Sequence, residues 1–384
     1  MPNVTDTDSR THLNGGCRGV VYIRLSRATP TRREYPTQVM DAAELLAWKR
    51  PLPGTQLAAL PPGNSRPNPT VVGNRLLVCT FSPGAVHCLD VADGSQVWSV
   101  PLDGLGGESV FVTRDLVYAK TARTLYALQL LDGAVVWKFT PHRGKGEYMH
   151  SAPVISGKRL FIGDREGSIH CLDPATGTRL WTATVAEGDV NSTFLVVDGR
   201  VIAGTNDATA VGVDAGSGSV VWRRRLDGPS IHEILWDGAA LIQTESLWWL
   251  APTDGRVNDR WAPRGETAKA VVVAGAEVIA LLRQEVLVGF RDHHEVYRVD
   301  NQGFFTGVLS FSPVTGCVYD ARIGEFHVVD PTTGARLCSL KYGDRGFAAT
   351  HPCATKGHLY VLTDGGDVLA LRHPEVKPST RPAA

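Results

Sequence analysis

Five short stretches of this 384-residue chain gather acids, imidazoles and aromatics. They read "GKGEYMHSAP" (144–153), "EGDVNSTF" (187–194), "GPSIHEIL" (228–235), "NQGFFTGVLSF" (301–311) and "DRGFAATHP" (344–352). His150, His232 and Glu233 are the candidates for moving protons. Imidazole titrates near neutrality, and a carboxylate beside it raises its pKa and orients its proton. Glu147, Tyr148, Asp189, Asn191, Phe304, Phe305, Arg345 and His351 are the ligand-binding candidates, offering the charges, amide and rings that a small-molecule pocket uses. Acid–base chemistry and hydrogen bonding to a polar ligand both remain open on these residues.

What must position them is a phrase that keeps returning. It reads "CLDVADGSQVW" (88–98), "ALQLLDGAVVW" (127–137), "CLDPATGTRLW" (171–181), "GVDAGSGSVVW" (212–222) and "VVDPTTGARLC" (328–338). An apolar strand runs into a turn, glycine follows, and a tryptophan, or Cys338 in the last copy, stands four residues after the glycine. Glycine suits a turn position with φ > 0, and the aspartates can bond turn amides, so each copy predicts a β-hairpin. Two more strands precede each phrase, as in "SAPVI" (151–155) and "RLFIGD" (159–164). The terminal aromatics fall at 98, 137, 181, 222 and 261, with Tyr297 and Cys338 continuing the series. Four strands repeated at this spacing predict an all-β propeller of four-stranded antiparallel blades. After Cys338 the chain supplies three further strands, and "LLAWKRPLPG" (45–54) supplies the missing one. The expected structure has eight blades, with an N-terminal strand carrying Trp48 completing the last. Residues 1–40 are expected to form a poorly ordered extension, 41–374 the propeller and 375–384 a disordered tail.

The grammar resembles that of the PQQ-like repeat, and the chain resembles the quinoprotein-alcohol-dehydrogenase-like and BamB-like propellers over 41–374. The match is close in blades one to four. It weakens in blade five, where Gly255 to Trp261 is two residues longer, and in blade six, where "GFRDHHEVY" (289–297) lacks both Asp and Gly. The resemblance implies that ligands sit in an axial funnel where the innermost strands begin, and the five stretches above lead into those strands. It says little about activity, because propellers host enzymes, sensors and scaffolds alike. No quinone or other cofactor is expected: dehydrogenases of the family carry an adjacent-cysteine disulfide and acidic calcium ligands, and no two cysteines are adjacent here.

No metal site is expected either. His87, His170 and His327 share one repeat position but belong to blades one, three and seven, too far apart to converge on one ion. They are expected to pack between blades. "RDHHE" (291–295) is expected to be a solvated turn, and "RRR" (223–225) and "HRGK" (142–145) exposed charge beside turns.

Lys+Arg and Asp+Glu balance at 39 each, which disfavours nucleic acid and anionic membranes as partners. Seven scattered cysteines suit buried, reduced thiols. The first residues carry no basic start followed by an apolar run, and no stretch is long and apolar enough to span a bilayer. The expectation is a soluble, cytoplasmic monomer, a module that binds a protein or small-molecule ligand at the funnel. The alternative is a propeller enzyme of lyase, hydrolase or cyclase type using the His/Glu residues there. No nucleophile elbow, phosphate loop or zinc signature favours the second.

Overall fold

The computed structural model describes residues 38–53, 68–104, 106, 110–141, 149, 151–190, 192, 194–230, 232–263, 265–282, 286–300, 305–322, 325–341, 352–363 and 366–375. They form eight sheets in a propeller ring, as the repeat predicts. Blade one runs Thr70–Val72, Arg75–Thr80, Ala85–Asp90 and Gln96–Pro101 from the axis outwards. Blades two to seven follow the same order, and blade eight ends in Leu46–Pro51, paired antiparallel with Asp367–Arg372. Of the expected extension and tail, only 38–40 and 375 fall among the described residues.

A blade has a neighbour on each face, so its middle strands bury side chains on both sides. Arg159–Gly163 and Ser168–Leu172 of blade three are therefore buried nearly throughout, whereas the burial of the outer strand Val220–Arg225 alternates. Between blades one and two, Leu77, Val86 and Cys88 pack against Val117, Ala119 and Tyr126.

The repeated phrase makes the joints. The indole N–H of Trp48, Trp98, Trp137, Trp181 and Trp222 donates to a carbonyl in the next blade's hairpin: Val91, Leu130, Pro174, Ala215 and Pro252 respectively, at 2.9–3.3 Å. The same ring lies on the hairpin glycine. A Cβ on Gly177 would stand 2.6 Å from the Trp137 ring, and one on Gly94 2.6 Å from Trp48. Gly177 also has φ +70°. Both the backbone and the space require glycine there.

Blade five corrects the sequence series. Trp249 pairs with Asp259, whereas Trp261 pairs with Leu247, two residues beyond the docking position. Asp259 is therefore the residue four after Gly255, and the large ring has moved to Trp249 on the facing strand. Blade six answers this exchange. His293, with φ +66°, occupies the glycine position of a two-residue turn with Asp292. Its ring stacks on Trp249 at 4.9 Å and lies 5.0 Å from Trp236, with Nδ1 3.4 Å from the Asp259 carboxylate. "RDHHE" is thus part of a joint rather than only a solvated turn. The lost aspartate is also compensated. Arg75–Asp90 and Arg200–Asp214 pair in blades one and four, and blade six reverses the polarity as Glu277–Arg291.

At the next joint, the Tyr297 hydroxyl donates to Pro331 O at 3.0 Å over Gly334. Blade eight has no hairpin to dock on, since its third and fourth strands come from opposite ends of the chain. Gln38–Asp41 and a short helix, Ala42–Leu45, occupy that joint instead. The strand pairs in parallel with Arg336–Lys341, making blade seven five-stranded, and Ala42 is buried with Cys338, Leu359 and Leu371. Further latches tie outer strands to the loops leaving the preceding blade: Lys138–Asp103 at 2.8 Å, Arg260–Asp227 at 2.6 Å and Arg298–Glu266 at 2.9 Å. The three arginines of "RRR" reach the carbonyls of Val185, Gly255 and Asp207.

Gly177→Ala should destabilise the ring by roughly 2–4 kcal/mol, combining a strained positive φ with overpacking against Trp137. Gly157→Ala, at φ +59° with nothing within 4 Å, isolates the backbone part and should cost about 1–2 kcal/mol. Urea unfolding of the two variants measures the difference, which is the contribution of the aromatic seat.

Candidate functional site

The funnel ends of the blades are built by a second repeated device. The loop leaving blade three is held by Val185 and Ala186 N–H to Gly167 O, by Val190 N–H to Asp164 O, and by Asn206 N–H to Asp189 O. It then delivers Ser192, buried, whose hydroxyl accepts from Gly204 N–H at 2.8 Å. Ser151 does the same one blade earlier, accepting from Gly163 N–H at 2.6 Å. These clasps went unread in the sequence, although Ser151/Gly163 and Ser192/Gly204 share one spacing. A lone serine in a loop carries no distinct signal. Where the glycine is replaced, the side chain itself crosses to the next blade: Lys120 Nζ donates to Met149 O at 2.8 Å, and Gln243 Nε2 to Ala268 O at 3.4 Å.

Of the expected site residues, Asp189 and Glu233 are described with their side chains. His232 and Phe305 are described as the first residues of the inner strands His232–Trp236 and Phe305–Ser312. Glu147, Tyr148, His150, Asn191, Phe304, Arg345 and His351 lie outside the described residues. Asp189 is buried in the loop between blades three and four, 3.8 Å from Arg165.

Glu233 is 4% exposed and paired across the strand with Ile242, whose cluster faces blade four. The Ser230 hydroxyl donates to its Oε1 at 2.5 Å, and Oε2 has no hydrogen-bond partner among the described residues. Gly204 leaves it room: a Cβ there would stand 2.5 Å from Oε1. Burial pushes the Glu233 carboxyl up to about 8, against the hydrogen bonds of Ser230 and Ser192 and the Gly204 backbone. It therefore keeps its proton at neutral pH. A neutral buried carboxylic acid can donate a hydrogen bond or a proton, and it can equally serve as an uncharged joint between blades four and five.

The repeated histidines lie in their own blades. His170 bridges Asp164 Oδ2 at 2.8 Å and Thr182 Oγ1 at 3.0 Å, and His87 lies 3.1 Å from Ser99 Oγ. His170 also meets Phe139 of the preceding blade, so packing between blades is part of its role. Among the described residues no three His, Cys, Asp or Glu side chains are grouped to hold a metal ion.

A family model described as "Outer membrane protein assembly factor BamB" matches residues 40–164 and 121–305. The outer membrane protein assembly factor BamB of Yersinia pestis is 27% identical over 221 residues, 54% of this chain and 56% of its own length. The chain therefore spans about half the length of that relative. Among solved structures, the computationally designed Ika8 protein superposes with a TM-score of 0.70 at 14% identity, covering 86% of this chain and all of that one. BamB from Moraxella catarrhalis gives 0.53 at 17% identity, covering 80% of this chain and 82% of its own. At such identities the structural likeness concerns the fold alone.

Glu233 makes stability depend on pH. Its folded pKa, about 8, lies above its unfolded value. The folded state therefore binds the proton more tightly, and this contribution is complete below the unfolded pKa and lost as pH rises through about 8. Glu233→Gln, a fixed neutral analogue, should match the wild type at acid pH and gain on it by up to about 1.4 kcal/mol per pH unit towards pH 8. Urea midpoints across the pH range measure it.

Proposed function

The chain belongs to the PQQ-like repeat family described as outer membrane protein assembly factor BamB, and from that premise we propose that it is a binding scaffold. It acts as a soluble monomer, engages a protein or small-molecule ligand through the loops of the funnel face, and carries no quinone. The observation that supports this most is the family match itself, which runs through six of the eight blades. Among the relatives it aligns with, those of Yersinia pestis, Legionella pneumophila and Burkholderia pseudomallei are named for outer membrane assembly. The cysteines favour a reducing, cytoplasmic compartment for this chain: Cys79, Cys88, Cys171, Cys317 and Cys338 are buried free thiols. No helix among the described residues is long and apolar enough to cross a membrane.

One observation favours a second reading, a lyase-, hydrolase- or cyclase-type enzyme. Glu233 holds a proton at neutral pH, as a general acid must. Its carboxyl is enclosed by the Ser192 and Ser230 loops, so a substrate would reach it only if those loops parted. Scaffold function requires no such step.

Adding PQQ with calcium should leave the melting temperature unchanged and confer no alcohol oxidation. A saturable rise of several degrees, as a tight native-state ligand produces, would count against the quinone-free reading. Affinity capture with the wild type and with the His150→Ala/His232→Ala variant tests the face. Proteins or small molecules held by the wild type should be lost from the folded variant. Equal retention by both would remove the funnel from the account.

A further inference from the structure

We propose that the outer strand of blade two, Val135–Phe139, is a docking edge onto which an extended segment of a partner protein, with an apolar residue directed inwards, adds as a fifth strand. The proposal rests on the scaffold reading and names a second surface for it.

An outer strand leaves one row of backbone donors and acceptors unpaired, and native sheets protect such edges with charge, proline or a cover. Most outer strands here are protected in those ways. Blade one's ends in Pro101, blade four's carries three successive arginines, and blade eight's carries Lys49, Arg50 and Pro51. Blade six's outer strand, His294–Asp300, is charged along its length. Three lack such protection in their middles: "RLWTAT" in blade three, made polar by its two threonines, and the more apolar "RLCSLK" in blade seven and "VVWKF" in blade two.

The chain covers the edge of blade seven itself. Gln38–Asp41 pairs in parallel with blade seven from Gln38↔Cys338 to Asp41↔Lys341. Met40 packs against the interblade core, while Val39 is 58% exposed. This is β-strand addition in cis, and it identifies what such an edge accepts: an extended segment with an apolar residue directed inwards.

Blade two has the same edge uncovered among the described residues. Val135 and Val136 are 45% and 42% exposed, and Leu131 in the adjoining hairpin is 78% exposed. Its one charge, Lys138, is bound to Asp103 at 2.8 Å and lies over the Tyr126 ring, so it does not guard the edge. The fitting partner is an extended segment that directs an apolar residue inwards, as Met40 does on blade seven. Its backbone would supply affinity, and alternate side chains would meet Val136 and Leu131.

The probe is a fluorescent peptide of residues 34–45, EYPTQVMDAAEL, which contains the strand that already pairs with an outer edge. Titrated into the full chain, it should bind saturably and slow amide exchange in Val135–Phe139. Val135→Lys/Val136→Lys alters exposed side chains, should keep the wild-type melting temperature, and should weaken binding at least tenfold. Absence of saturable binding up to millimolar peptide would overturn the proposal. So would protection at Arg336–Lys341 instead, which is strand exchange on blade seven, or equal binding by the lysine variant. Concentration-dependent dimerisation through 135–139 would make a second copy the occupant and overturn it too. None of these failures touches the funnel-face reading, which His150 and His232 report.

Discussion

A small four-stranded sheet cannot keep two apolar faces from water, so each blade is stable only when a neighbour covers each side. That requirement makes the joint between blades the interaction on which the rest depends. At five joints it is made by an indole resting on a glycine of the next hairpin and donating to a carbonyl beside it. One such hydrogen bond contributes only about 0.5–1.5 kcal/mol, so most of the joint's stability comes from the buried ring and the apolar clusters behind it. Its directional bond and the small glycine seat fix the relative height of the blades. The funnel loops inherit their positions from that spacing.

The departures follow the same physics. Between blades five and six, Asp259 and His293 replace tryptophan and glycine, while Trp249 supplies the ring surface from the opposite strand. Blade six reverses the Arg–Asp pair to Glu277–Arg291. The paired exchange keeps the buried Glu277 partnered, where a single exchange would leave it stranded. The joint between blades seven and eight cannot use a hairpin at all, and the segment 38–45 fills it with backbone pairing and Ala42.

The blade count and the closure by Trp48 were legible because the phrase fixes both turn and docking residue within eleven positions. Blade five was misread for an instructive reason. Counting aromatics pointed to Trp261, whereas the glycine spacing, which reflects backbone geometry, already pointed to Asp259. The candidate site was legible only as residue types at the right strand ends. Glu233 was chosen for its chemistry, but its burial depends on which face of blade five it shares with Ile242 and on the absence of a Cβ at Gly204. Both are properties of the neighbouring blade, and no local pattern around Glu233 contains them. The serine clasps and the cover on blade seven were missed likewise, because each joins segments distant in sequence.

Ring closure by the N-terminal strand is the central claim, and equilibrium urea unfolding of two truncated chains tests it most directly. A chain lacking residues 1–37 retains the strands 38–41 and 46–51 and should unfold cooperatively at the full chain's midpoint. A chain lacking residues 1–51 leaves the third strand of blade eight, Asp367–Arg372, as an open edge and removes the ring that seats Gly94. Its midpoint should fall sharply, with amide protection lost first in blades eight and one. Equal midpoints for the two truncations would contradict the account.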